Sequence, residues 1–304
     1  MSGPVPARGA LRAFLGTLRT PFVLLTPAVV SVGIATAVWR CGSVRALDLF
    51  LALAGAVCAH LSVNALNEYF DFKSGLDFRT SRTPFSGGSG VLPAHPGLAP
   101  FTLAAGLATL AGTGLVGAYF ALAAGWRIVP LGILGMAVIV SYTPWIAKVP
   151  LLCLFAPGLG FGTLMVMGVH FALAGEYSLT SFFASLVPFF LVSDLLLLNQ
   201  FPDVAADRSA GRMNLPISLG RRGSAFVYGL FLFLAYLSIV LGGLLGYLPP
   251  LSLLGLLTVV LAVPAFVGAV RFAEEPGKLV PYLGMNVAVN LATPVLLAAG
   301  ILLS

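Results

Sequence analysis

Apolar runs long enough to cross a lipid bilayer occupy most of this 304-residue chain. A helix that spans the hydrocarbon core needs about 20 predominantly apolar residues. Nine runs of about this length lie near positions 22–39, 47–70, 99–123, 128–146, 150–174, 178–200, 225–246, 250–270 and 281–303. They predict an all-α integral membrane protein in which nine transmembrane helices surround a central cavity.

The composition supports lipid as the solvent for most of this surface. Hydrophobic residues make up 59% of the chain and charged residues 9%, whereas soluble domains carry roughly 25% charged residues. We therefore expect one polytopic membrane domain over residues 1–304. The formal net charge of +6 comes from basic residues in short loops, which is a topology signal, so we expect no nucleic-acid partner.

The basic residues also predict an orientation. If the N-terminus is cytoplasmic and the chain crosses nine times, 13 of the 16 Lys and Arg residues lie in cytoplasmic segments. This asymmetry follows the positive-inside rule. The two long polar connections, near 71–98 and 201–224, are then both cytoplasmic. We expect a multi-pass protein of the cell (inner) membrane whose N-terminus and active site face the cytoplasm.

An acidic pattern occurs twice, once in each of these long connections. The two segments read NEYFDFKSGLD, from Asn67, and NQFPDVAADRSAG, from Asn199. In each, an Asn at the end of an apolar run is followed four residues later by an Asp and then by a second Asp. Five of the ten acidic residues fall in these segments. Similar sites in two halves of a membrane protein usually face one shared cavity.

Helical spacing groups the side chains within each segment. Residues four apart share a helix face, which places Asn67 with Asp71, and Asn199 with Asp203 and Asp207. Pro202 is expected to break the helix that leads into the second segment, because it lacks an amide proton. The geometry is therefore most secure for Asp203 with Asp207.

Two carboxylate clusters that face each other repel strongly in a low-dielectric cavity. A hard divalent cation relieves this repulsion, and Mg²⁺ is commonly held by carboxylates together with substrate phosphates. Asn side chains add neutral oxygens or orienting hydrogen bonds. The two segments thus predict a Mg²⁺–diphosphate site.

Basic residues stand beside the acids, and two interpretations remain open for each of them. They bind either the diphosphate or anionic lipid headgroups. These residues are Lys73, Arg79, Arg82, Arg208 and Arg212. The sequence RTPFSGGSGVLP, from Arg82, is either a phosphate-binding lid or an ordinary flexible loop.

Three ionisable residues lie inside the apolar runs. Asp194 is either functional or part of a structural pair, as is usual for intramembrane acids. His60 and His170 are expected to be polar core residues with satisfied hydrogen bonds.

The nine spans and the two acidic motifs resemble the UbiA superfamily of intramembrane prenyltransferases, over nearly the whole chain. The second motif, Asn199-x₃-Asp203-x₃-Asp207, matches the family pattern. The first motif has the longer spacing Asn67-x₃-Asp71-x₅-Asp77. This spacing is similar to that of the menaquinone-pathway branch, which includes 1,4-dihydroxy-2-naphthoate prenyltransferase.

The resemblance implies roles for individual residues. The implied Mg²⁺ ligands, which are also catalytic, are Asp71, Asp77, Asp203 and Asp207. The stretch SYTPWIAKVP looks like the family's short cytoplasmic segment in which Lys148 contacts phosphate as a further catalytic residue. The residues implied to bind the substrates are Asn67, Asn199, Lys73, Arg82, Tyr142, Arg208 and Arg212. Many relatives continue with an Arg-Gly-Leu-Gly-Glu-like sequence, whereas this chain has KVPLLCLFAPGLGFG, a difference that bears on the acceptor.

The expected reaction is Mg²⁺-dependent transfer of a prenyl group from a polyprenyl diphosphate to an aromatic small molecule, with release of diphosphate. One candidate acceptor is 1,4-dihydroxy-2-naphthoate, in menaquinone biosynthesis. The alternatives are a phenol, a haem or chlorin, or a glycerol-phosphate lipid as acceptor, or a prenyl-diphosphate cyclase. A transporter is the rival from another class, but its charged site would lie near the bilayer midplane.

Overall fold

The computed structural model of the protein describes residues 7–80 and 82–304. Every element in these ranges is helical. The α-helices are α1 Ala7–Thr17, α2 Leu25–Cys41, α3 Ala46–Ser74, α4 Val91–Ala94, α5 Ala99–Ala123, α6 Val129–Ser141, α7 Pro150–Pro157, α8 Met165–Ala174, α9 Leu179–Asn199, α10 Val204–Ser209, α11 Leu215–Ser218, α12 Gly220–Leu244, α13 Val259–Arg271 and α14 Pro276–Leu302. Short 3₁₀ turns connect several of them, and a π-helical segment, Gly158–Leu164, joins α7 to α8.

Eight helical segments of the described chain are long and apolar enough to cross a membrane. They confirm the predicted all-α membrane architecture, with one difference. The predicted fourth span, near 128–146, forms only the shorter apolar helix Trp126–Ser141. It ends early because Pro144, which cannot donate a backbone hydrogen bond, follows it closely. This helix is shorter than the roughly 30 Å thickness of the hydrocarbon core.

Helix α9 lies at the centre of the bundle, against α2, α7, α12 and α14. Its side chains Leu191, Val192 and Leu198 are almost fully buried in the largest apolar cluster. Helices α5 and α6 lie at the edge instead, and large side chains such as Leu115 and Ile133 remain exposed there. Exposed Leu and Ile are compatible with a lipid solvent, which the composition predicted.

The π-helical segment lies against α9 because two of its residues are glycines. A Cβ atom at Gly158 or Gly162 would collide with the backbone of Phe189 on α9. Segments of this type inside α-helices occur frequently at functional sites. The segment contains the GLGFG sequence that departs from the family pattern, and its residues Gly160 and Phe161 line the cavity described next.

A cavity of about 850 Å³ lies among α3, α5, α6, the π-helical segment and α9. Most of its wall is apolar, and along α3 it is lined from Asp71 to Ala52. This separation corresponds to about 28 Å of helix, close to the thickness of a hydrocarbon core. The predicted central cavity is therefore present, with the acidic residues at one end, which we call the mouth.

Candidate active site at the mouth of the cavity

The first acidic segment follows an uninterrupted helix. Helix α3 continues through Asn67 and Asp71 and ends at Gly75, whose positive φ of 77° suits a helix C-terminus. The 3₁₀ turn Leu76–Phe78 then turns Asp77 back toward α3. Both Asp71 and Asp77 line the cavity and are about 5% exposed or less. The extra residues in the x₅ spacing are therefore taken up by the glycine turn.

The second acidic segment is built differently. Helix α9 ends at Asn199, and Asp203 precedes the short helix α10. The prediction that the helix breaks near Pro202 is confirmed, so no continuous helix carries Asn199 and Asp203 together. The amide of Asp207 donates to the carbonyl of Asp203 over 2.9 Å, which confirms their predicted i, i+4 relation. Asn199, Asp203 and Asp207 all line the cavity.

Arg212 joins the two segments. Its guanidinium binds the Asp71 carboxylate through Nη2, and its Nη1 donates to Asp207 Oδ1 over 3.2 Å. Burial opposes the guanidinium charge, but the charges of Asp71 and Asp207 outweigh it and raise the pKa of Arg212. Asn214 adds a 2.8 Å hydrogen bond to Asp207 Oδ2. One cation therefore holds one carboxylate from each motif.

The other carboxylate of each motif keeps a buried oxygen with no hydrogen-bond partner. These atoms are Asp77 Oδ2 and Asp203 Oδ1, and Asn199 Oδ1 shares this property. Burial raises the pKa of Asp77 to about 7, and the charges of Glu68 and Asp71 add to the shift. Burial, with the charge of Asp207, likewise raises the pKa of Asp203 to about 7.

These orphaned oxygens fit a hard divalent cation, which prefers carboxylate and amide oxygens. A buried acceptor without a donor is unusual and calls for an explanation. Across residues 7–80 and 82–304, no three His, Cys, Asp or Glu side chains converge as a ready-made metal cluster. Arg212 lies between Asp71 and Asp207 and pairs with both carboxylates.

A glycine-rich loop, residues 86–90, covers the mouth. Gly87, Gly88 and Gly90 all have positive φ values, between 70° and 89°, and Ser86 to Gly88 line the cavity. The loop also approaches the second motif. Burial raises the pKa of Asp203, and hydrogen bonds from the Gly87 amide and the Ser86 hydroxyl lower it in part.

Glu68 holds this loop against α3. It is fully buried and accepts hydrogen bonds from the Ser89 amide, over 3.3 Å, and from the Ser89 hydroxyl. Arg19 Nε donates to the same carboxylate over 3.0 Å. Arg19 is the single non-glycine residue with positive φ in the described ranges. Neither Glu68 nor Arg19 was predicted to have a role in the site, although an acidic residue beside an apolar run, such as Glu68, was an available signal.

Most of the predicted basic residues lie elsewhere. Of the predicted basic residues, Arg212 alone is among the described residues that line the cavity. Tyr142 lies there with it, and so does Arg19, which was not predicted. Lys73, Arg82, Lys148 and Arg208 are exposed and outside the cavity lining. Arg79 bridges the two segments from outside, since its Nη1 donates to the Ser209 carbonyl over 3.1 Å. The predicted residue Asn67 donates to Thr143 Oγ1 over 3.0 Å.

The histidines inside the membrane-spanning helices have hydrogen-bond partners. His60 Nδ1 is 2.7 Å from Thr26 Oγ1, and His170 Nδ1 is 3.0 Å from Thr36 Oγ1. The contact of His60 agrees with the expected role as a core residue with satisfied hydrogen bonds, and this side chain also lies on the cavity wall. His170 fits that role only in part, because its buried Nε2 atom has no hydrogen-bond partner. Asp194 is fully buried, and neither of its carboxylate oxygens has a hydrogen-bond partner. No salt bridge to Asp194 is present in the described part of the chain.

The chain is similar in sequence to one family of known proteins. The model of the UbiA prenyltransferase family matches residues 24–289. The chain is 30% identical to 1,4-dihydroxy-2-naphthoate octaprenyltransferase of Bacillus subtilis (strain 168) over 263 residues, which covers 85% of this chain and 82% of that protein.

Two solved structures share the fold. A UbiA homologue from Aeropyrum pernix K1, in its apo form, is 21% identical with a TM-score of 0.72, covering 93% of this chain and 98% of the homologue. A UbiA homologue from Archaeoglobus fulgidus bound to GPP and Mg²⁺ is 13% identical with a TM-score of 0.64, covering 94% and 99%.

Proposed function

Since the chain belongs to the UbiA prenyltransferase family, we propose that it transfers a polyprenyl group from its diphosphate to an aromatic acceptor and releases diphosphate in a Mg²⁺-dependent reaction. The observation that carries this proposal is the meeting of both acidic motifs at the mouth of one apolar cavity. A prenyl diphosphate has the matching polarity, with an anionic head and a hydrocarbon tail. The head lies among the polar groups of the mouth, and the tail lies along α3.

The residues assigned to Mg²⁺ are Asp71, Asp77, Asp203 and Asp207, with Asn67 and Asn199 in support. Bound there, Mg²⁺ would neutralise charge on the departing diphosphate. The orphaned oxygens of Asp77, Asp203 and Asn199 support this assignment, because they lie on the same cavity wall. The Archaeoglobus homologue is bound to GPP and Mg²⁺, which supports a prenyl diphosphate and a divalent cation as the ligands of this site.

The chain's own groups prepare the allylic carbon–oxygen bond for ionisation. Arg212 lies between the motifs and presents a fixed positive charge where the diphosphate leaves. The apolar cavity wall excludes water, so the acceptor ring captures the carbocation in place of solvent. The ring carbon that gains the prenyl group then loses its proton, or its carboxyl group as carbon dioxide. The ring of Phe161, held edge-on to His60 at a centroid distance of 4.6 Å, lines the cavity and offers a π-face to a nearby cation.

We assign the active site to the cytoplasmic face of the cell membrane, within a single polytopic domain over residues 1–304. The excess of basic residues in the segments on the side of the acidic motifs supports this orientation. The motif-bearing loops, near 71–98 and 201–224, are then cytoplasmic.

For the acceptor, we favour 1,4-dihydroxy-2-naphthoate, in menaquinone biosynthesis. The name of the Bacillus relative and the x₅ spacing of the first motif both support this choice. A phenol, a haem or chlorin, and a glycerol-phosphate lipid are the alternative acceptors.

The test is a transfer assay with purified protein in lipid, a labelled polyprenyl diphosphate and a panel of these acceptors. We expect Mg²⁺-dependent labelling of the naphthoate, with diphosphate released in equal amount and loss of turnover in EDTA. Labelling of a different acceptor would overturn the choice of naphthoate. Undiminished turnover in EDTA, or no diphosphate release with any acceptor, would overturn the metal site or the reaction itself.

A further inference from the structure

Asn290 on α14 carries a buried, unpartnered hydrogen-bond acceptor beside the cavity. The residue lines the cavity beside Val287 and Leu291 and is 1% exposed. Its Oδ1 atom has no hydrogen-bond partner. An unpartnered acceptor is costly at membrane depth, where no bulk water is available, so this atom calls for a ligand.

The orientation of the Asn290 amide is fixed by its neighbour one turn earlier. Its Nδ2 donates to the Asn286 carbonyl over 3.0 Å and to Asn286 Oδ1 over 3.2 Å. A backbone carbonyl can only accept, so exchanging the amide nitrogen and oxygen of Asn290 would bring two acceptors together. Asn286 itself donates to the Asp194 carbonyl on α9 over 3.5 Å. Oδ1 is therefore the atom of Asn290 that is left for a ligand.

The depth of Asn290 suits a ring that lies beneath the diphosphate. Phe85, next to the glycine-rich loop, approaches α14 at Gly284, where a Cβ atom would lie 3.5 Å from the Phe85 ring. Asn290 is six residues farther along the helix, about 9 Å deeper. Asn290 thus lies below the mouth but in the half of the cavity that is nearer to the mouth, since the cavity extends for about 28 Å along α3.

We propose that Asn290 accepts a hydrogen bond from a hydroxyl group of the aromatic acceptor and thereby selects hydroxylated rings. This inference rests on the proposed function. An amide oxygen repels phosphate and carboxylate groups, and a prenyl tail has no donor, so neither end of the prenyl diphosphate satisfies Oδ1. A ring hydroxyl satisfies it, while Val287 and Leu291 contact the apolar ring. Asn286 is the positioning residue that holds the amide.

The first test compares Asn290→Leu with wild-type protein. We expect the KM for the acceptor to rise about tenfold, which corresponds to one neutral hydrogen bond. The KM for the prenyl diphosphate and the Mg²⁺ requirement should stay unchanged. The matched control is Thr293→Val, on the same helix, because Thr293 is buried and bonds Thr258 away from the cavity lining. An unchanged acceptor KM in Asn290→Leu would overturn the proposal.

The second test removes the hydrogen bond from the ligand side. Methyl ethers of each ring hydroxyl are compared with the parent acceptor on wild-type protein and on Asn290→Ala, which only deletes atoms. For one hydroxyl, methylation should weaken binding about tenfold in wild-type protein and have little effect in the variant. Equal losses in both proteins, for every ether, would show that Asn290 does not meet a hydroxyl.

Equilibrium dialysis of the acceptor, without donor, separates this inference from the proposed function. If wild-type protein transfers no prenyl group, the proposed reaction fails, yet the dialysis still decides whether Asn290 binds the hydroxyl. If transfer proceeds, but the loss of acceptor binding free energy on mutation simply adds to the loss on methylation, only the Asn290 inference fails.

Discussion

The two acidic motifs are nearly alike in sequence, yet the chain builds them with different backbones. In the first, Asn67 and Asp71 lie on the unbroken helix α3, and Gly75 turns the chain to place Asp77. In the second, the helix stops at Asn199, and a separate short helix carries Asp207. Each motif nonetheless contributes one carboxylate that pairs with Arg212 and a second carboxylate that keeps an oxygen without a hydrogen-bond partner.

The order of these two kinds of carboxylate is reversed between the motifs. The paired residue is the first Asp of the first motif, Asp71, but the second Asp of the second motif, Asp207. The unpartnered oxygens belong to Asp77 and Asp203. Equivalent positions in the sequence therefore do not carry equivalent roles, and the following predictions test this division.

The largest effect is expected when either motif loses a carboxylate. Asp71→Ala and Asp203→Ala should each reduce prenyl transfer on the order of a thousandfold. The reason is that the site would no longer hold the Mg²⁺ that neutralises the negative charge of the diphosphate. Transfer and diphosphate release would be measured on protein that remains monodisperse in detergent. Asp48→Asn, at the other end of α3, where the carboxylate binds Tyr119, is the control and should stay active. Full activity in Asp71→Ala would remove the first motif from the site.

The next effect concerns the residue that joins the motifs. Arg212→Gln should lower turnover about a hundredfold, because the fixed charge beside the leaving group is lost. Arg208→Gln is the matched control, since Arg208 is exposed and outside the cavity lining. Steady-state kinetics of both variants would decide the point. Similar losses in the two variants would mean that the bridge between Asp71 and Asp207 has no special role.

A smaller effect is expected from the contact that the first motif makes with the glycine-rich loop. Glu68→Ala should raise the KM for the prenyl diphosphate about tenfold with a lesser change in kcat, because the hydrogen bonds to Ser89 are lost. Glu68→Gln keeps an acceptor for Ser89 and should recover part of this loss. Glu176→Ala breaks a Glu–Arg pair that is exposed and should leave the KM unchanged. A loss confined to kcat would argue against a loop-positioning role.

The smallest effect is a pH dependence of metal binding. The pKa values of Asp77 and Asp203 are each raised to about 7 by burial, and a metal must displace any proton they carry. The apparent Mg²⁺ affinity should therefore fall as the pH drops, by about threefold for each carboxylate between roughly pH 7.5 and 6.5. Mg²⁺ titrations of diphosphate release at several pH values would measure it. Asp77→Asn should remove the part of this pH dependence that comes from Asp77 and leave the part from Asp203. A Mg²⁺ affinity that does not change with pH would contradict the assignment of both carboxylates to the metal.

The length of the apolar runs predicted the all-α membrane fold, because runs of spanning length leave the backbone few alternatives. Helical spacing predicted that Asp203 and Asp207 share a turn, and the missing amide proton of Pro202 predicted the end of α9. The fourth helix was predicted to be longer than it is, because hydropathy does not register a turn at Pro144. Arg212 could not be separated from Arg208 by sequence, since both follow Asp207 closely and only the fold turns one of them inward.

The remaining site residues depend on contacts between distant parts of the chain. Arg19 and Glu68 meet across 49 positions, and Glu68 and Ser89 across 21. No local pattern connects these residues. Asn290 carried no signal at all, because an Asn within an apolar run is chemically ambiguous until its amide partners and the cavity wall are known.

The most direct test of a site shared by both motifs is to locate the metal. Crystals of the protein with Mn²⁺ and an unreactive prenyl thiodiphosphate would show metal positions by anomalous scattering. We predict metal density at the mouth, with oxygens of Asp77 from the first motif and Asp203 from the second at about 2.1 Å, a typical Mg²⁺–oxygen distance, from ions that share one diphosphate. Metal bound by one motif alone, or a diphosphate that contacts neither Asp77 nor Asp203, would contradict the account.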